Sequence, residues 1–175
     1  VKTQPGIGSA MLEYMEVFDA SSEKSDKEME VYLVVPEDEN AMGSYIALND
    51  AKKGSPLPLT SSGAVITDKL AKELNLSPGD AIEIILDENY SVYVPVASVA
   101  ENYCFHYIYL TKDLYKSVFG ANPLYNYISA NLSVENMDQE QKNNLAKTLM
   151  SEYEISAVAY TSQIQDSFQN IMNSI

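Results

Sequence analysis

The chain holds one cysteine and one histidine, Cys104 and His106, two residues apart. On an extended strand such a pair shares a face, and a thiolate beside an imidazole is a nucleophile. The spacing argues against that use. Side chains at i and i+2 stand roughly 7 Å apart by the strand rise, too far for a hydrogen bond between them. A buried thiol and a hydrogen-bonded histidine explain both residues more simply. Other reactive patterns fail on composition. No GxxxxGK[ST] loop is present, and Gly6-Ile7-Gly8 opens no dinucleotide fingerprint because Met11 stands where a glycine is needed. There is no CxxC or HExxH, so a zinc site would depend on carboxylates. Glu37-Asp38-Glu39-Asn40 and Asp87-Glu88-Asn89 bring carboxylates together, but neither extends into a twelve-residue calcium loop, and turn chemistry accounts for them. No cofactor and no metal are expected, and no catalytic residue is assigned.

The tyrosines are the more distinctive set. There are 13 tyrosines, four phenylalanines and no tryptophan. In the run from Tyr103 to Leu110, strand alternation places Tyr103, Phe105, Tyr107 and Tyr109 on one face and Cys104, His106, Ile108 and Leu110 on the other. Tyrosine combines a rigid apolar body with a polar tip, which suits contact surfaces. Tyr103, Tyr107 and Tyr109 are therefore candidate partner-contact residues. The alternative is a half-buried sheet face rimmed by phenols.

Charge narrows the partners. Against 25 acidic residues stand 11 basic ones, all lysine, for a net charge of −14. Nucleic acid and anionic lipid headgroups want arginine forks and positive potential, so both are poor partners for this chain. Simple solubility explains an acidic surface, and a basic partner is the other reading. A lone cysteine forms no internal disulfide, which fits the cytosol and many bacterial extracellular domains alike. The longest unbroken apolar run, Val31 to Val35, is far short of the roughly twenty residues a membrane span needs. The chain opens at Val1 without a methionine or signal peptide, which reads as a piece of a longer protein.

These residues need elements to position them. Residues 1–9 read as a loose lead-in. Met11–Phe18 and Met29–Val35 read as two strands of a hairpin, with the polar stretch Asp19–Glu28 as its mobile tip. Ser44–Leu48 is a short strand candidate, and residues 49–62 are loop. Gly63–Ile66 is a strand, and Thr67 caps a helix with Leu70, Ala71 and Leu74 on one face. Ser77-Pro78-Gly79-Asp80 is a turn, and Ala81–Leu86 and Tyr90–Val99 form a hairpin. Thr111 caps a short helix ending near Gly120. Then follow a strand at Tyr125–Leu132, a helix over 137–152 with Leu145, Leu149 and Met150 on one face, and a strand at Ile155–Tyr160. Ser162-Gln163-Ile164-Gln165 reads as a capping box. The helix it opens carries Ile164, Phe168, Ile171, Met172 and Ile175, an apolar stripe with no stop signal, and is expected to continue in the parent protein.

The stretch from Gly63 to Asp80, followed by a strand, resembles the extracytoplasmic domain of FtsX/MacB-type ABC transporter permeases. The matching positions are Gly63, Leu70, Ala71, Leu74, Gly79 and Asp80, a structural motif with no catalytic member in that family. Glu101-Asn102-Tyr103 and His106-Tyr107-Ile108-Tyr109 resemble a form common in large Gram-positive permeases of this type. The final strand–helix–strand–helix pattern is also similar. The resemblance covers about residues 44–175, and residues 1–43 match in general character only.

The resemblance implies an α+β fold. A β-rich, sabre-like subdomain (50–122) would be inserted in a porter-like strand–helix–strand–helix subdomain (1–49 and 123–175). It implies a non-enzymatic domain on the extracellular face of the bacterial cytoplasmic membrane. That domain would be linked through the rest of a permease to a cognate ABC ATPase subunit and would act on an extracellular protein, peptide or lipid-linked substrate. The second reading is a free-standing secreted module that binds protein through its tyrosine-rich surface. The third, an enzyme, rests on Cys104 and His106 alone.

Overall fold

The structure is a computed structural model and describes residues 1–102, 105–134 and 137–162. Its strands are β1 (Ile7–Ser22), β2 (Ser25–Pro36), β3 (Ala64–Thr67), β4 (Ala81–Asp87), β5 (Tyr90–Ala100), β6 (Tyr107–Tyr109) and β7 (Tyr127–Leu132). Its α-helices are α1 (Asp68–Glu73), α2 (Lys112–Phe119) and α3 (Gln139–Glu152). The class is mixed α+β and strand-rich, as expected. By internal contact the chain divides into Met11–Ala130 and a second unit made of Val1–Ala10 with the chain from Asn131 on.

In the larger unit the strands join in the order β2-β6-β3-β5-β4-β1-β7, and β1 also pairs with β2. That extra pairing closes six strands into a ring, with β7 added on β1 outside it. All six strands turn one face inward. Tyr14, Ala20, Val31, Leu33, Ile66, Ile84, Val94 and Ile108 are among the residues that meet there. Leu70, Ala71 and Leu74 of the α1 segment and Leu114 and Tyr115 of α2 pack against the same core. A smaller apolar cluster, with Met11, Val34, Val65, Ala100 and Tyr109, lies on the opposite face of the strands. Met42 and Leu48 of the connection after β2 belong to it.

The polar stretch after Phe18 corrects the expected mobile tip. β1 and β2 pair through it as far as Ser22 opposite Ser25, leaving a two-residue turn at Glu23–Lys24. The polar side chains are used by α1. Ser22 Oγ donates to Leu74 O at 2.5 Å, and Ser25 Oγ donates to Glu73 O at 3.0 Å. Both serines donate to carbonyls at the C-terminal end of a helix, where carbonyls lack helical partners. Lys24 pairs with Asp80 at 2.6 Å and Lys27 with Glu73 at 2.5 Å. Composition marked a loop here, but tertiary hydrogen bonds make it sheet.

Other expectations are corrected as well. Ser44–Leu48 is not a strand; a 3-10 turn occupies Met42–Ser44. Ile155–Tyr160 has no strand pairing, and β7 begins at Tyr127 instead of Tyr125. Thr67 precedes α1 with no side-chain cap, because its Oγ1 accepts from Tyr107 N at 3.2 Å. Thr111 does cap α2, accepting from Leu114 N at 3.1 Å, and Gly120 ends that helix at φ +74°.

In the smaller unit, Asp138 and Gln141 form a capping box at the start of α3. Leu145 and Leu149 are buried, whereas Met150 is 46% exposed and leaves the expected stripe. Tyr160 OH donates to Lys142 O at 2.8 Å, and the Lys142 ammonium stands 5.5 Å from the Tyr160 ring centre. The capping box at 162–165 and the terminal apolar stripe lie outside the described residues, save Ser162.

Candidate functional site

The motif residues lie in or against the ring. Gly63 enters β3 so close to β5 that an added Cβ would stand 2.6 Å from Pro95 O and 2.9 Å from Ala97 N. Only glycine fits there. Leu70 and Leu74 are fully buried and Ala71 nearly so, with their side chains in the ring's core. Gly79 sits at φ +98°, a left-handed turn position. Asp80 closes that turn. Its Oδ2 accepts from Ser77 N at 2.8 Å, and its own N–H donates to Ser77 O at 3.0 Å. The Lys24 contact and the Ser77 N–H hold its carboxyl below the usual range.

The tyrosine-rich run divides. Tyr103 and Cys104 lie outside the described residues, and with them the Cys104–His106 pair. The Nδ1 of His106 is buried and has no hydrogen-bond partner among the described residues. Burial, with the Lys69 ammonium, holds its imidazole below the ordinary range, against a smaller opposing pull from Glu73. Among the described residues no group of three or more His, Cys, Asp or Glu could hold a metal ion. The acidic turns use their oxygens both locally and at a distance: Glu37 Oε1 accepts from Leu12 N and Glu39 Oε1 from Lys112 N. Asp38 Oδ1 accepts from Asn40 N, and Asp87 Oδ1 accepts from Asn89 N.

Tyr107 and Tyr109 share a face as expected, with rings stacked at 5.6 Å. Tyr109, however, is only 3% exposed and belongs to the smaller apolar cluster. It offers no contact surface, because the connection after β2 covers that side. Burial pushes its phenol pKa up, and the nearby Tyr107 and Glu13 add to the shift. The aromatic surface instead extends sideways. β6 lies parallel to β2 with Tyr107 beside Tyr32, ring centres 5.3 Å apart. Phe105 stands edge-on to both, 5.9 Å from Tyr32 and 6.4 Å from Tyr107. Its ring is 46% exposed on a backbone at φ +60°, a costly conformation for a bulky residue. That left-handed residue also explains why the strand begins only at Tyr107.

Tyr32 was missed as a surface residue in sequence. The signal was present in Glu30-x-Tyr32-x-Val34, an i, i+2 row on one face, but its neighbour across the parallel pairing is 75 positions away and follows no local rule.

No protein-family model matches this sequence, and no curated protein sequence matches it. Solved structures do. The chain is similar to the extracellular domain of the noncanonical ABC-type transporter YknZ from Gram-positive bacteria, with 16% identity over 87% of this chain and 80% of that one, at a TM-score of 0.51. It is also similar to the periplasmic region of MacB from Actinobacillus actinomycetemcomitans, with 13% identity over 97% of this chain and 79% of that one, at a TM-score of 0.52. The chain has the fold of a MacB-type extracytoplasmic domain. At these identities the likeness is one of fold, and the resemblance seen in the Gly63–Asp80 motif agrees with it. No helix among the described residues is long and apolar enough to cross a membrane.

Proposed function

We propose that this chain is the extracellular domain of an ABC transporter permease. It is a non-catalytic part that links ATP-driven motion of membrane helices to an extracellular protein, peptide or lipid-linked substrate. The observation that carries this reading is the shared fold with the YknZ and MacB domains over 87% and 97% of the chain. The motif residues Gly63 to Asp80 act in it as structure: a close approach, a buried helix face and a closed turn. In this reading residues 50–122 form the sabre-like part, residues 1–49 and 123–175 form the porter-like part, and a cognate ATPase subunit works through the rest of the permease.

The test is the parent coding sequence. An apolar span of about twenty residues directly after Ile175, with another before Val1, is the expected result. Absence of both spans overturns it. A non-catalytic role also predicts that Cys104→Ser keeps the full activity of the transporter, with ordinary thiol labelling of the native protein.

A second reading, a free-standing binding module, is favoured by one observation: the exposed Phe105 ring beside Tyr32 and Tyr107. A signal peptide and a stop codon flanking the fragment would select it.

A further inference from the structure

We propose that the outer face of β1, β2 and β6 docks an extended cationic protein segment, one that carries lysine or arginine two residues from an apolar side chain. The surface consists of Val17, Tyr32, Phe105 and Tyr107, bordered by Asp19 and Glu30. The inference rests on reading Tyr107 as a contact residue and goes beyond it in naming the partner's chemistry.

Strand register makes this one surface. Val17 pairs with Tyr32 and Asp19 with Glu30 across β1 and β2, and Tyr32 pairs with Tyr107 across β2 and β6. Residues two apart on a strand share a face, so the carboxylate pair and the aromatic row lie side by side, about 7 Å apart along the strands. Val17 is 47% exposed, and Phe105 is held outward on a left-handed backbone. A bulky residue in that conformation costs free energy, and the ring it presents packs edge-on against Tyr32 and Tyr107 while keeping about half its surface in solvent.

The charges specify the occupant. Asp19 and Glu30 are both exposed and stand directly opposite each other. Like charges in that relation destabilise a sheet. Among the described residues neither has an ion-pair partner, and the hairpin's own cations, Lys24 and Lys27, are engaged by Asp80 and Glu73. An ammonium or guanidinium placed between Asp19 and Glu30 relieves the repulsion. An apolar side chain two residues further along the same segment then reaches Val17, Tyr32 and Phe105. The aromatic faces also attract the cation directly.

The probe is a labelled peptide of repeated Lys-Ser-Val-Ser, which alternates lysine and valine on one face, with repeated Glu-Ser-Val-Ser as its control. Binding is read by fluorescence anisotropy at near-physiological salt, where the screening length is about 8 Å. The lysine peptide is expected to bind and the glutamate peptide not to. The double substitution Asp19→Asn, Glu30→Gln is expected to weaken binding about tenfold, equal to about 1.4 kcal/mol. Phe105→Ser is expected to weaken it similarly. Glu88→Gln with Glu152→Gln removes the same two charges at exposed positions elsewhere and is expected to change binding less than about twofold. All these positions are exposed, and the Asp19/Glu30 variant is expected to melt no lower than the parent, so unfolding does not imitate the result. Equal weakening by the two charge variants overturns the proposal as non-specific attraction. Weakening by Phe105→Ser alone overturns the cationic chemistry and leaves the contact surface. No binding of the lysine peptide, or no effect of any variant, overturns both.

Discussion

Glu13 on β1 is fully buried, and among the described residues only one of its carboxylate oxygens has a hydrogen-bond partner. Ser129 Oγ donates to Oε2 at 3.1 Å, while Oε1 has none. Burial raises its pKa, and the Ser129 hydrogen bond pulls the other way with less effect. A folded pKa above the unfolded one gives stability that is fully present below the unfolded value and lost as pH rises through the folded value. Glu13→Gln removes that loss. The variant is expected to match the parent near pH 4 and to exceed it by about 1–3 kcal/mol in the alkaline range, the usual cost of a poorly satisfied buried polar group. Urea titrations across pH check this, and parallel curves for the two proteins contradict it. Two glycines of the motif separate two physical causes. Gly63→Ala drives a methyl onto the β5 backbone and is expected to cost about 2 kcal/mol or more. Gly79→Ala meets no atom within 4 Å and pays only for φ +98°, about 1 kcal/mol. Thermal melts of both variants order the two effects, and a larger loss at Gly79 would reverse the assignment.

Helix ends show how far local sequence reaches. Thr111 was legible as a cap and is one, so Thr111→Ala is expected to cost about 1 kcal/mol by chemical denaturation. Thr67 carries the same local signal, yet its hydroxyl is turned to the Tyr107 N–H on a neighbouring strand. The helices and the β4–β5 hairpin were readable because their apolar spacing and turn residues are local. Asp19–Glu28 was not readable, because its serines become strand residues only by bonding carbonyls of α1 roughly fifty positions away. The candidate surface was half legible for the same reason. Alternation put Tyr107 and Tyr109 on one face, but only the tertiary cover over Tyr109 distinguishes the buried ring from the half-buried one. Tyr32 and Val17 joined the surface through register, which no single segment encodes.

The whole molecule carries a net charge of −14 with no arginine. Self-repulsion at that charge opposes compaction, and salt screens it. The melting temperature is therefore expected to rise between low ionic strength and about 0.5 M sodium chloride, where screening is over a few ångströms. A fall on adding salt would mean that the Lys24–Asp80 and Lys27–Glu73 pairs outweigh the general repulsion. Ring closure sets a schedule as well as a shape. The strand that joins β2 to β3 is β6, and its three residues are made some seventy positions after the β2 residues they meet. A growing chain must hold the free edge of β2 open until Tyr109 arrives, and such long-range pairing is slow. Unpaired edges recruit other chains in the meantime. A fragment ending at Asn102 should therefore elute from a sizing column as soluble aggregate or not at all. Compact monomer would mean that the barrel tolerates a missing stave, and during biosynthesis this domain would then need no helper to guard its open seam.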